Sequence, residues 1–172
     1  MHYLWPRISD LYISLIGYLV LNRLRQAFTL KMKPWMEKYI SAKYQGVTRS
    51  DKALKSATYA FKLGYYISAI ICGYWALHDQ EFTPWTLLGN GDSIECFKNY
   101  PFSEVSDKVK FYYWFTLTYH LDSFFGHALS KPKKDYGEMF FHHTITLILI
   151  VFSYCCNFMG GGSLVLFVHD FA

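Results

Sequence analysis

The stretch whose reading decides the fold is Met139–Gly162, MFFHHTITLILIVFSYCCNFMGGG. Most of it is apolar enough to dissolve in a bilayer. Yet His142 and His143 stand where a membrane helix would carry leucine. An ionisable side chain at membrane depth costs about 2.5 kcal/mol or more, so an adjacent pair of imidazoles needs a polar cavity to face. The same helix offers one. His142, Thr146, Leu149, Ser153 and Asn157 follow helical offsets that place them on one face. The rest of the segment is Ile, Leu, Val and Phe.

The composition of the whole chain points the same way. Of 172 residues, 52% are hydrophobic, 20% aromatic and only 17% charged, whereas soluble domains carry about 25% charged residues. The four cysteines, Cys72, Cys96, Cys155 and Cys156, form no CxxC pair, and three lie in apolar runs, so neither a disulfide framework nor a zinc site is expected. No cleavable leader is expected either, because the first apolar stretch contains Asp10 and lacks a small-residue cleavage site.

A membrane-crossing helix needs roughly 20 mostly apolar residues. The expected fold is therefore all-α: a polytopic transmembrane bundle with spans near residues 8–24, 58–77, 111–129, 138–156 and from 163 onward. The last segment stops at Ala172, too short to cross ~30 Å of hydrocarbon at about 1.5 Å per residue, so the chain reads as truncated at its C-terminus. Two regions are expected: residues 1–53, a first span with a basic loop, and 54–172, the remaining spans. Positive residues cluster in loops 23–57 and 130–137, while the loop from His78 to Lys110 carries six acids against three lysines. By the positive-inside rule the two basic loops are cytosolic. Gly64, Ser68 and Cys72 form a small-residue stripe for close helix packing, Lys62 is placed to snorkel, and Gly160–Gly162 are expected to form a tight turn.

Other expected spans also carry ionisable groups. His120 and Asp122 lie midway along the third, and His169 and Asp170 lie two turns into the last. Such groups are tolerable together only if they converge on one cavity. Its expected lining is His120, Asp122, Thr146, Ser153 and Asn157, with His142, His143, His169 and Asp170 as the reactive set.

The segment Lys133–Asp170 resembles the longevity-assurance motif of ceramide synthases, in Lys134, Asp135, Glu138, Met139, His142, His143, Thr146, Leu149, Ser153, Tyr154, Asn157, Gly162, Leu164, Val165, Leu166, His169 and Asp170. Weaker similarity extends upstream through Asn99–Pro101. The resemblance implies a TLC-domain membrane protein of the endoplasmic reticulum that transfers a fatty acyl group from acyl-CoA to the amine of a sphingoid base. Acyl-CoA is then a co-substrate, and no metal or other cofactor is implied. The partners are acyl-CoA, sphingoid base and the bilayer, with room for a homo- or hetero-oligomer. No nucleic acid is expected, since the basic loop has no helix-turn-helix signature.

Two features depart from the pattern. Gly160 stands where the family carries a basic residue, and the chain stops before a second expected aspartate. These leave a non-catalytic lipid-binding or translocon-associated TLC protein, or an inactive fragment, as the alternatives. A di-iron desaturase would need about eight histidines in fixed boxes; the chain has seven without that spacing.

For the implied reaction, one histidine deprotonates the amine. Another acts as acyl-accepting nucleophile or as donor to the oxyanion. His142 is the expected base because it shares the polar stripe, and Asp170 is expected to orient a histidine. Lys131, Lys133 and Lys134 are placed to meet CoA phosphates, with His142 about 12 Å from Lys134 by helical rise.

Overall fold

The computed structural model describes residues 6–41, 43–44, 46–130 and 135–171. Five helices carry it: α1 (Tyr12–Tyr39), α2 (Gly46–Leu77), α3 (Asp107–Ala128), α4 (Tyr136–Cys155) and α5 (Met159–Phe171). The described residues contain no strand, only an isolated bridge between Pro84 and Gly91. Helices α1 and α2 extend well into the basic segment read as a loop. Its Lys, Arg, Glu and Ala residues are strong helix formers even though they are not apolar. The division expected at residue 53 falls inside α2. Among the described residues, α4 alone is long and apolar enough to cross a membrane by its own composition.

Helix α3 is the central element, packing against α1, α2, α4 and α5. Its start is set by Ser106, whose Oγ accepts from the Val109 amide at 3.4 Å. The main core joins Ala76 and Leu77 of α2, Tyr112, Tyr113 and Leu117 of α3, Ile150 and Tyr154 of α4, and Leu166 and Phe167 of α5. A second cluster stacks Tyr65 of α2 on Tyr119 of α3 with ring centroids 3.6 Å apart.

The small-residue face of α2 is not the one expected. Gly64 and Ser68 are exposed, and the buried face instead carries Ala53, Ala57, Ala69 and Gly73. One position along a helix rotates the face by about 100°, and the aromatic partners select which face turns inward. A Cβ on Gly73 would lie 2.5 Å from the Phe167 ring. The glycine therefore lets α5 approach α2.

The glycine run at 160–162 is not a turn but the first turn of α5. The chain reverses just before it, where Asn157 takes φ 56°, a left-handed conformation that asparagine tolerates. Packing explains the helical glycines. A Cβ on Gly162 would collide with Tyr113 Oη and sit 3.0 Å from Ser153 Oγ. These two side chains are themselves hydrogen-bonded at 3.1 Å. Gly162→Ala should therefore destabilise the fold by about 1–3 kcal/mol, as overpacking does. Unfolding in detergent checks this, and an unchanged midpoint would mean that Tyr113 has room to turn away.

Candidate active site: a histidine-lined cavity

Helices α2 to α5 line a cavity of about 470 Å³. From α2 it takes Lys62 and Tyr66, one helical turn apart. From α3 come Tyr119, His120 and Ser123, from α4 Met139, His142 and His143, and from α5 His169 and Asp170. All four residues expected to be reactive therefore border one space, together with His120.

The imidazoles stand in a row. His120 and His169 have ring centroids 5.7 Å apart. His169 and His142 are 6.1 Å apart and nearly parallel, at 19°. His142 and His143 are 5.6 Å apart, and His143 and His127 also 5.6 Å. Adjacent residues on a helix project about 100° apart, yet both members of the α4 pair border this cavity. His120 is only 6% exposed, and neither its Nε2 nor the Nδ1 of His169 has a protein hydrogen-bond partner. At the other end of the row, half-buried His127 meets the Tyr136 carbonyl through Nε2 at 3.0 Å and stacks on the Tyr136 ring at 4.7 Å.

Asp170 is 6% exposed and accepts a 2.7 Å hydrogen bond from Tyr112 Oη. The partner of the carboxylate is thus a phenol of α3 and not the histidine it was expected to orient. This bond fixes α5 against α3 and places a carboxyl group at the cavity wall, with the Lys62 side chain on the wall contributed by α2.

Several expected lining residues lie elsewhere. Asp122 points away from the cavity into an ion pair with α1: it accepts from Arg25 Nε at 2.8 Å, Arg25 Nη2 at 3.2 Å and Asn22 Nδ2 at 3.1 Å. Thr146 donates to the His142 carbonyl of its own helix at 2.9 Å, a local bond available to threonine in any helix. Ser153 is engaged by Tyr113, one side of the tight α5 contact. Asn157 lies beyond α4 and donates through Nδ2 to the carbonyls of Pro101 and Ser103 at 2.7 and 3.0 Å. Leu149 is 61% exposed. The polar stripe of α4 thus serves three purposes at three depths, and only its His142 end reaches the cavity. Lys131, Lys133 and Lys134 lie outside the described residues.

Lys62, Tyr66, Tyr119 and Ser123 were not singled out as cavity residues from sequence. Their signal is positional: Lys62–Tyr66 and Tyr119–Ser123 are each spaced by four, which stacks two polar groups on one helix face.

Among the described residues, no three His, Cys, Asp or Glu side chains are grouped to hold a metal ion. A larger cavity, about 950 Å³, lies in the segment joining α2 to α3, among Asp79, Glu81, Glu95 and Glu104. No imidazole lines it. At its edge, the Lys108 ammonium 2.9 Å from Asp79 holds that carboxyl below the usual carboxylate range.

An all-helical domain built around an internal polar site is the class that this geometry defines. The chain belongs to the TLC-domain family, whose model matches residues 55–172. It is 28% identical to ceramide synthase hyl-2 of Caenorhabditis elegans, over 98% of this chain and 51% of that protein. Identity is 30% to ceramide synthase 4 of Bos taurus, over 66% of this chain and 27% of that protein. It is 32% to ceramide synthase LOH1 of Arabidopsis thaliana, over 70% and 39% respectively. The chain thus spans about half the length of these relatives or less. No solved structure matches.

Proposed function

We propose that this chain carries the reaction centre of a ceramide synthase, a multi-pass protein of the endoplasmic reticulum membrane that joins a fatty acyl group from acyl-CoA to a sphingoid base. The observation that carries the reading is the convergence of His142, His143, His169 and Asp170, from two helices, on one cavity, in a TLC-domain chain similar to ceramide synthases. Basic loops 23–57 and 130–137 face the cytosol in this reading, where acyl-CoA is available.

The chemistry needs a base and an oxyanion partner. A sphingoid amine is mostly protonated at neutral pH, and neutral imidazole, with a reference pKa near 6.5, can take its proton. His142 fills that role. The freed amine attacks the thioester carbonyl, and the oxygen gains negative charge in the transition state. His143, or Lys62 across the cavity, stabilises that charge. Collapse expels the CoA thiolate, which is protonated to the thiol. Asp170, held by Tyr112, keeps the cavity's charge balanced while an imidazole is transiently cationic.

The test uses the complete reading frame expressed in membranes that lack ceramide synthase, supplied with acyl-CoA and sphingoid base. Ceramide above background is the expected result. Its absence from well-folded protein would favour a lipid-binding TLC protein.

A further inference from the structure

We propose that His127 is the outer end of a proton relay that drains the reaction site through His143. The inference rests on the acyl-transfer reading but goes beyond it, because His127 touches neither substrate nor the reacting atoms. The proton balance requires an exit. A protonated amine and a thioester give an amide, a thiol and one surplus proton: a C–N bond forms, a C–S bond breaks, the sulfur takes one of the two protons leaving nitrogen, and the other must leave the site. The base that collects it, His142, borders the cavity on a helix apolar enough to cross a membrane, where a stranded charge is costly.

The row of rings supplies the path. His142 to His143 and His143 to His127 are both 5.6 Å between centroids. Ring nitrogens extend about 1 Å from a centroid, so facing nitrogens come within direct or single-water reach, and a bridging water is nearly as good a link as a direct bond. His127 is the penultimate residue of α3. It is half-buried next to the exposed Leu129–Ser130 end of the helix, with its ring stacked on Tyr136 at the start of α4 and Nε2 on the Tyr136 carbonyl, so Nδ1 is the nitrogen left for His143 and release to solvent runs through opening of the Nε2 bond. This is the side that the positive loop assigns to the cytosol. The opposite arm, His169 and His120, runs inward and ends on a buried nitrogen with no protein partner, so it offers no outlet. The groups facing the row are Lys62 and Tyr66 from α2, Tyr119 from α3, Asp170 from α5 and Tyr136 from α4. The Lys62 cation shares the cavity with His143 and favours departure of a proton toward His127.

The experiment uses the complete chain in membranes and compares His127→Gln with the parent. For the variant, kcat should fall about 10²-fold, the low end of what a positioned proton-transfer group contributes, with both KM values unchanged. Added imidazole should restore kcat of the variant and leave the parent unaffected. Unchanged kcat, or a loss that imidazole does not repair in folded protein, would overturn the relay. If the variant does not fold, a solvent-deuterium proton inventory on the parent chain decides. A curved, multi-proton dependence is expected, and a linear one overturns the relay. A parent chain without acyl transfer sinks both this proposal and the reading beneath it, whereas an active parent with an equally active His127→Gln sinks the relay alone.

Discussion

Replacing His142 with alanine is expected to lower kcat for ceramide formation by about 10²–10⁴-fold, the range for loss of a positioned general base. KM for acyl-CoA should change little. The imidazole is small beside an acyl-CoA, and its role is confined to the step in which the amine loses a proton, so the interaction lost is one made in the transition state. Folding should survive, because His142 is an exposed position of α4. His143→Ala should also be damaging, since that ring is next to His142 and lies between it and His127. The two effects should be far from additive, as for groups acting as a unit. Ceramide synthesis that persists in the double variant His142→Ala, His143→Ala would show that the reaction centre lies elsewhere.

The histidines were legible in the sequence for a physical reason. Ionisable side chains within apolar helices have few tolerable placements, so His142, His143, His120 and the His169–Asp170 pair could be expected to meet before any coordinates were known. The same reasoning assigned Asp122 to the cavity, where it does not belong. Its error was to treat α1 as apolar and to leave Arg25 in a loop. Once α1 is seen to continue as helix to Tyr39, Arg25 comes within reach of α3, and a buried carboxylate has a better partner than a shared cavity. Hydropathy locates what lipid can dissolve, whereas helix propensity locates what can coil, and α1 and α2 are longer than their apolar segments for that reason. The glycines at 160–162 fail the other way. Local propensity reads them as a break, but the space that their missing side chains leave is filled by Tyr113, Phe158 and Cys96, contacts that no local pattern announces.

Asp122→Ala is expected to be the most destabilising single change, at about 3–5 kcal/mol, the usual cost of removing one partner from a buried ion pair. The carboxylate is 4% exposed and the Arg25 side chain 26%. Truncation leaves a guanidinium that water can reach only in part. It also strips Asn22 Nδ2 of its acceptor. The bidentate geometry, with Nε and Nη2 each on its own carboxylate oxygen, is the strong form of this contact, and it ties α1 to the central helix. Thermal unfolding in detergent measures the loss. An apolar double replacement, Arg25→Met with Asp122→Leu, should recover most of it, because exchanging a whole buried pair for packed apolar side chains is commonly neutral or stabilising. Ceramide synthesis separates this structural role from a place in the cavity. If Asp122 only pairs with Arg25, the double replacement should retain activity at temperatures where it is folded. If instead the carboxylate served the reaction, stability would return and activity would not.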